Sequence, residues 1–411
     1  MQIDRTSTSG LPALRVESQT WVDASIPHKP LLDWRELVTK GLHFSGALQL
    51  ARRLSKFHEI PPDSSLPFPR FVRVNTPKFV ILCYHGIGES GNPLSVAPSR
   101  ELFDTQMRFL HENYRVASLE EACSELCSGV KSEPGVVITF DDGYRSAYNV
   151  AFPILQQYRL PATIYLTVDS VETGQVAWYD RVFLGMAVAP SGELQLDLQD
   201  PWRFQLNSPE DRLRAALEVV AILRTLPNSL RCECCARLEN RIGLPQNALS
   251  SRVLTWEEIH IMHSAGITFG SHTLSHPVVS QLAPLELEHE LGASKCLLEK
   301  KLGIPVLDFA FPFGKASDCS PAALEMLSRC GYRSAVTTVP GVNTPQANLF
   351  ELRRMQVGVD GSLARFAFDL ARAFLQAEKL RPLNAPPTPA STSTQVPSSV
   401  GIGGALGDPD A

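Results

Sequence analysis

Short apolar runs alternate with helical segments along the middle of the chain. Seven runs rich in β-branched and aromatic residues cover 79–84, 136–140, 162–168, 266–270, 307–311, 334–339 and 355–359. Segments with apolar residues at helical spacing lie between most of them, at 102–114, 146–158, 256–265, 284–302 and 321–330. This alternation predicts an α/β fold of strand–helix units around a mostly parallel sheet.

One interval interrupts the alternation. Residues 169–251 show no convincing strand pattern, but residues 210–226 place apolar side chains at helical spacing. We interpret 169–251 as a helical insertion within a domain that spans residues 78–380. Because barrels vary their function through the loops, we expect the insertion to influence substrate choice.

The two ends of the chain differ from this middle part. Residues 1–77 form an extension with one candidate amphipathic helix at 45–58, for which packing on the main domain is favoured and peripheral membrane contact stays open. Residues 381–411 are rich in Pro, Ser, Thr and Gly, a composition that predicts a flexible tail.

Composition excludes several classes of protein. The 411 residues are 44% hydrophobic, which suffices for a sizeable core, and the net charge of -5 without a basic cluster argues against nucleic-acid binding. No run approaches the length of about 18 apolar residues that spans a bilayer, and residues 1–10 lack the apolar core of a signal peptide. We therefore predict a cytoplasmic protein, and the sequence leaves its oligomeric state open.

Polar residues with catalytic potential follow the apolar runs. His85 follows the first run, Asp141 and Asp142 follow the second, and His272 and His276 follow the fourth. The carboxyl ends of parallel strands meet at one rim, so these side chains are expected to form a single site.

His272 and His276 are spaced to share one cation. Four residues separate them, which places both imidazoles on one face of a helical turn. Asp142 would complete the ligand set with an oxygen. Histidines at this spacing also occur on surfaces by chance, but their coincidence with a pair of aspartates at a strand end favours a metal site.

The Asp141-Asp142-Gly143 triplet supports this interpretation. Adjacent carboxylates repel each other unless a cation neutralises one of them. With Asp142 as a ligand, Asp141 is free to accept a proton from a water molecule whose pKa the cation lowers. The alternative is an ordinary surface turn, for which this triplet is also typical.

Four motifs carry a family resemblance. They are Thr139-Phe140-Asp141-Asp142-Gly143, His272-Thr273-Leu274-Ser275-His276, Phe309-Ala310-Phe311-Pro312-Phe313-Gly314 and Cys83-Tyr84-His85-Gly86-Ile87. The first three resemble, in order and spacing, motifs of the polysaccharide deacetylase family, also known as the NodB-homology domain or carbohydrate esterase family 4. The fourth is similar to the poly-N-acetylglucosamine deacetylase branch. The resemblance covers residues 78–360 apart from the insertion.

The resemblance implies a distorted, incomplete (β/α)7 barrel that removes acetyl groups from N-acetylated sugars with a divalent metal, usually zinc. It implies that Asp142, His272 and His276 bind the metal and that Asp141 is the general base. The backbone amide of Phe313 would help to hold the oxyanion, and the partner would be an N-acetylated glycan.

The sequence also departs from the family pattern. Ala310 stands where many members have an arginine that pairs with the base; Arg353 or Arg354 could substitute, and a surface role is equally compatible with them. Phe313 replaces a tyrosine, and no histidine follows His289 to serve as the family's late catalytic acid.

His85 is the histidine best placed to replace that acid. It lies at the end of the first strand, next to the last strand of a closed barrel, and imidazoles titrate near neutral pH. A simple hydrogen bond to a loop carbonyl is the alternative.

Two alternatives to a deacetylase remain open. The same barrel could hydrolyse another C–N bond, such as a formamide, or the departures could mark a non-catalytic glycan-binding homologue. Within the insertion, Trp178, Tyr179 and Asp180 could stack on a sugar or simply pack.

Overall fold

The computed structural model describes residues 78–88, 97–130, 132–198, 200–244, 252–357 and 362–379. Its strands are β1 (Phe79–Tyr84), β2 (Arg115–Val116), β3 (Gly135–Phe140), β4 (Thr163–Leu166), β5 (Glu193–Leu198), β6 (Asp200–Gln205), β7 (Thr268–Ser271), β8 (Asp308–Ala310), β9 (Ser334–Val336) and β10 (Arg354–Gln356). Seven of them pair in parallel in the order β10–β1–β3–β4–β7–β8–β9, and β2 pairs with β3. A parallel bridge between Val336 and Leu352 joins the ends of this order, so the sheet nearly closes into a barrel.

Helices surround the barrel and build the insertion. They are α1 (Arg100–Asn113), α2 (Leu119–Ser128), α3 (Phe152–Tyr158), α4 (Val168–Thr173), α5 (Trp178–Val188), α6 (Pro209–Leu223), α7 (Asn228–Ile242), α8 (Trp256–Ser264), α9 (Pro284–Glu288), α10 (Ser294–Leu302), α11 (Pro321–Arg329) and α12 (Leu363–Lys379). π-Helical turns at Ala147–Ala151 and His289–Ala293 lead into α3 and α10. Short 3-10 turns occur at Val279–Gln281, Ala316–Asp318 and Leu349–Glu351.

Several helices begin where the sequence supplies a hydroxyl cap. Ser118, Ser208 and Thr255 each accept a hydrogen bond from the backbone amide three residues later, and an acidic side chain at that position bonds back to the cap. These capping boxes fix the start of α2, α6 and α8, because they satisfy amides that have no partner within the helix.

The predicted fold class is confirmed. Each of the seven apolar runs overlaps one of the seven barrel strands, and β1 and β3 are buried along their whole length. Strands covered on both sides need continuous apolar runs, which is why the sequence pattern located them. The extension 1–77 with its candidate helix at 45–58, and the tail 381–411, lie outside the described residues.

The insertion differs from the sequence prediction in one part. The sequence pattern predicted no strands in 169–251. This prediction is wrong for β5 and β6, which form an antiparallel hairpin. Leu194 and Leu196 on β5 and Phe204 on β6 are buried, so a period-two pattern was present but short. The hairpin and helices α5, α6 and α7 share a hydrophobic core separate from that of the barrel, built from residues such as Trp178, Met186, Val219 and Leu238.

None of the helices in the described part of the chain has the length and apolar character needed to cross a membrane.

Candidate active site

The carboxyl ends of the barrel strands border a cavity of about 390 Å³. Residues from the loops after β1, β3, β7 and β8 line it, together with residues of the insertion. All six site residues predicted from the sequence lie at this cavity: His85, Asp141, Asp142, His272, His276 and Phe313.

Asp142, His272 and His276 converge on one point. Asp142 Oδ1 lies 3.4 Å from His272 Nε2 and 3.5 Å from His276 Nε2, and all three side chains are almost fully buried. His272 Nδ1 lies 2.7 Å from the carbonyl oxygen of Ala310, so this nitrogen carries a proton and Nε2, which faces Asp142, is the nitrogen that can bind a cation. Among the described residues, Asp142 Oδ1 has no hydrogen-bond partner. Two imidazole nitrogens and one carboxylate oxygen with converging lone pairs fit a divalent cation.

The electrostatics of this cluster suit metal ligation. Burial opposes ionisation of Asp142, but the neighbouring imidazoles of His272, His85 and His276 outweigh it and lower the pKa of the carboxyl. Burial and the charge of His272 lower the pKa of His276 to about 3, so that imidazole is neutral at neutral pH. Burial also disfavours a charged His272, but the carboxylates of Asp142 and Asp141 outweigh it and raise the pKa of that imidazole. A cation can replace the proton on His272, because ligating imidazoles must be deprotonated at the metal-binding nitrogen.

Left-handed backbone conformations concentrate at the cavity. Asp142 (φ 71°), Thr273 (φ 67°), His276 (φ 58°) and Phe313 (φ 59°) are non-glycine residues with positive φ. Within the described ranges the only other such residue is Arg159, at the end of α3. Such conformations are costly and cluster at functional sites, where surrounding contacts hold them in place.

Arg354 pairs with Asp141 through both oxygens. Its Nη1 and Nη2 donate to Oδ1 and Oδ2 at 2.7 and 2.6 Å, and both side chains are buried. Burial opposes ionisation of Asp141, but the Arg354 guanidinium overcomes this effect and holds the pKa of the carboxyl below its usual value. The sequence left open whether Arg353 or Arg354 could substitute for the missing family arginine, and the structure selects Arg354. Arg353 is exposed.

Ala310 is a small residue in the barrel interior. It is fully buried in a cluster that includes Tyr165, and the guanidinium carbon of Arg354 lies 5.9 Å from the Tyr165 ring centroid. A small residue on β8 is therefore combined with an arginine on β10 in the same part of the barrel interior.

His85 is exposed at the cavity. Side-chain atoms of His85, Cys83 and Asp141 lie within 4.8 Å of one another. Asp141 is already bound by Arg354, so we assign no metal to this second group. The position of His85 next to Asp141 agrees with the predicted rim location; its role as an acid stays a prediction.

Phe313 contacts both the barrel and the insertion. Its ring lies 4.9 Å from the His276 ring, and the guanidinium carbon of Arg224 lies 4.0 Å above it. Thr338 donates a hydrogen bond to the Phe313 carbonyl at 2.6 Å. These contacts hold the left-handed turn after β8, and the function of the Phe313 amide stays a prediction.

The structure places Trp178, Tyr179 and Asp180 against the site. Trp178 Nε1 donates to the carbonyl oxygen of His276 at 2.9 Å, and the Tyr179 ring lies 4.7 Å from the His276 ring. Asp180 accepts a hydrogen bond from the Tyr144 hydroxyl at 2.6 Å, and burial raises its pKa to about 8. Sequence reasoning left these three residues between packing and sugar contact and missed Tyr144, although it directly follows Asp-Asp-Gly.

Comparison with known proteins agrees with this geometry. The family model for polysaccharide deacetylase matches residues 128–335, about half of the chain. This chain belongs to the polysaccharide deacetylase family. Membership makes this deacetylase a hydrolase that acts on acylated polysaccharides.

Two relatives illustrate the extent of the similarity. YxkH of Bacillus subtilis (strain 168), assigned to the polysaccharide deacetylases, is 26% identical over 289 residues, which cover 69% of this deacetylase and 74% of YxkH. The Streptococcus pyogenes deacetylase PplD, solved in complex with acetate, is 22% identical and covers 72% of this chain and 98% of its own, with a TM-score of 0.50. The similarity to PplD shows a shared fold.

Proposed function

We propose that this deacetylase is a metal-dependent hydrolase that removes N-acetyl groups from an N-acetylated glycan. The observation that carries the proposal is the convergence of Asp142, His272 and His276 beside the Asp141–Arg354 pair in one cavity. Two imidazoles and one carboxylate form a ligand set typical of catalytic zinc, which makes Zn²⁺ the favoured cation.

The residues around the ligands have distinct roles in this proposal. Asp142, His272 and His276 would hold a divalent cation, which would supply Lewis acidity toward the amide carbonyl and the attacking water. Asp141 accepts the proton of that water, and Arg354 keeps the carboxylate ionised and fixed by binding both oxygens. The Phe313 amide donates to the developing oxyanion. His85 donates a proton to the departing amine, because an amide nitrogen leaves poorly as an anion.

The non-catalytic alternative loses part of its support. It relied on the departures from the family pattern, and Arg354 compensates for one of them, the missing arginine at position 310, with a buried, two-pronged ion pair to the same carboxylate. Hydrolysis of a different acyl group on nitrogen, such as formyl, would use the same residues, so the choice between acetyl and formyl belongs to the substrate test. The cytoplasmic location expected from the sequence stays a prediction.

The test combines metal content with turnover. Purified full-length protein should contain one equivalent of a transition metal and release acetate from N-acetylglucosamine oligomers faster than formate from N-formyl analogues. Asp141→Asn should retain the metal and lose about 10²- to 10⁴-fold in rate, because it keeps its shape but cannot accept the proton.

Asp308→Asn is the matched control. Asp308 is also a buried carboxylate bound by an arginine, Arg333, but it begins β8 and so lies at the opposite end of the barrel. Its variant should keep the wild-type rate. Protein without a stoichiometric metal, or Asp141→Asn at full speed, would refute the proposal.

A further inference from the structure

Glu290 lies directly behind the loop that carries the two histidine ligands. It belongs to the π-helical turn His289–Ala293, and its side chain is only 4% exposed. Its Oε2 accepts hydrogen bonds from the backbone amides of Leu274 at 2.9 Å and Ser275 at 3.0 Å. Its Oε1 accepts a hydrogen bond from the Ser275 hydroxyl at 2.5 Å. One carboxylate therefore binds the two residues that lie between Thr273 and His276.

These two residues connect strained positions. Thr273 and His276 both have left-handed backbone conformations, which a loop of L-residues adopts only when neighbouring contacts fix it. Other bonds hold the ends of the loop: the His272 amide donates to the Leu166 carbonyl and the His276 amide donates to the Thr273 hydroxyl. The amides of Leu274 and Ser275 point away from these contacts toward Glu290. In the middle of the loop, the carboxylate holds both amides, and the Asp169 amide donates to the Leu274 carbonyl at 3.0 Å.

The loop conformation sets the relative orientation of the imidazoles. The His272 and His276 rings are 4.8 Å apart and inclined at 76°, and both present Nε2 to Asp142. A change in the backbone at Leu274 or Ser275 would rotate one ring relative to the other. Groups that orient ligands in this indirect way typically change metal affinity by 10- to 100-fold when they are removed.

We propose that Glu290 is a positioning residue for the metal centre, which fixes the angle between the His272 and His276 imidazoles through the backbone of Leu274 and Ser275. The inference rests on the proposed function, in that it requires a divalent cation at Asp142, His272 and His276. Glu290 acts through hydrogen-bond geometry and is not itself a ligand.

The experiment measures the metal directly. The dissociation constant of Zn²⁺ is determined by competition with a chromophoric chelator, and the visible spectrum of the Co²⁺-loaded protein reports ligand geometry. Glu290→Ala should raise the dissociation constant about 10- to 100-fold and shift the Co²⁺ bands. Glu290→Gln should restore most of the affinity, because its amide oxygen still accepts from both backbone amides.

Two further variants separate positioning from general stability. Glu290→Asp keeps the charge but draws the carboxylate back from the loop, so its affinity should fall between those of the alanine and glutamine variants. Asp308→Ala removes a buried carboxylate from the other end of β8 and should lower Tm without changing the Zn²⁺ dissociation constant. If Glu290→Ala does not fold, the aspartate variant decides, and a wild-type dissociation constant there overturns the proposal.

The remaining outcomes distinguish the two proposals. Wild-type affinity and spectrum in Glu290→Ala, or an equal loss of affinity in Asp308→Ala, overturns the role of Glu290 alone. A wild-type protein that binds Zn²⁺ but hydrolyses no N-acetylated sugar overturns the proposed function alone. A wild-type protein that binds no divalent metal overturns both.

Discussion

The barrel and the insertion contribute to the same cavity in different ways. The barrel supplies the candidate ligands and the candidate base, each at the end of a strand or in the loop that follows it. The insertion supplies Trp178, Tyr179 and Arg224, which contact the candidate ligand His276 or its neighbour Phe313. Each region has its own hydrophobic core.

The barrel therefore carries the candidate reactive groups, and the insertion holds them in place. Polar atoms of the barrel are fixed by the strand register and by backbone carbonyls, such as that of Ala310, which accepts a hydrogen bond from His272 Nδ1. The insertion acts on the same site by packing and by a few hydrogen bonds, such as those of Trp178 to the His276 carbonyl and of Asp180 with Tyr144. Changes in the barrel should therefore have large effects on reaction and stability, and conservative changes in the insertion should have small, graded effects.

The largest effect is expected from Arg354→Ala. It leaves the Asp141 carboxylate buried without its partner, so the free energy of unfolding should fall by about 3–5 kcal/mol and turnover should fall with it. Denaturant titration and acetate release measure the two effects. Arg353→Ala is the control, since this exposed neighbour should change stability by no more than about 0.5 kcal/mol. Equal losses in both variants would contradict the assignment of Arg354.

His85→Ala tests the proposed acid, which lies directly after β1. The variant should fold and bind metal but lose at least about 10²-fold in kcat, because no side chain protonates the leaving amine. An acid is active only when protonated, so the variant should also lose the decline of wild-type activity at alkaline pH. The pH profile of kcat measures this, with His260→Ala on the exposed side of α8 as control. An unchanged profile at full rate would exclude His85 as the acid.

Trp178→Phe tests the contact between the insertion and the candidate ligand His276. It removes the hydrogen bond to the His276 carbonyl and keeps an aromatic ring in the insertion core. The loss of one hydrogen bond is worth about 0.5–1.5 kcal/mol, so the Zn²⁺ dissociation constant should rise by roughly 2- to 10-fold.

Trp256→Phe is the matched control for this change. Trp256 Nε1 donates to Glu172 at 2.7 Å, on α4, and the variant should leave the dissociation constant unchanged. A shift of the same size in both variants would mean that Trp178 stabilises the fold without acting on the ligand.

Asp180→Asn should change the pH dependence of stability. Burial raises the pKa of Asp180 to about 8, whereas an unfolded aspartate titrates near about 4. Between these values the native state keeps a proton that the unfolded state has lost, so wild-type stability should fall as pH rises through this window. Asparagine can still accept from Tyr144 but does not titrate.

The measurement is the free energy of unfolding of the metal-free protein at several pH values. Asp180→Asn should be less pH-dependent than the wild type between about pH 4 and 8, and more stable than it at the upper end. Parallel curves for the two proteins would show that Asp180 does not carry the shifted pKa.

The amino-acid sequence by itself located the seven barrel strands and six of the residues that line the cavity. Strands buried on both faces require continuous apolar runs, and the polar residues that follow such runs meet at one rim. Both signals are local, so they can be recognised without knowing which strands pair. The short hairpin of β5 and β6 was missed, because two six-residue strands with three buried apolar side chains give a weak periodic signal.

Only the tertiary structure decided between Arg353 and Arg354. Neighbouring residues on a strand point to opposite faces, so the choice depends on the register of β10 against β1, where Arg354 pairs with Ile81. Arg354 then meets Asp141, which lies 213 residues earlier in the chain. Trp178 likewise meets His276, which lies 98 residues later. Glu290 is only 15 or 16 residues from Ser275 and Leu274, but its contact still requires the π-helical turn to pack against the histidine loop. Contacts between distant segments follow from the closure of the barrel and the packing of the insertion on it, and no local pattern of hydrophobicity encodes them.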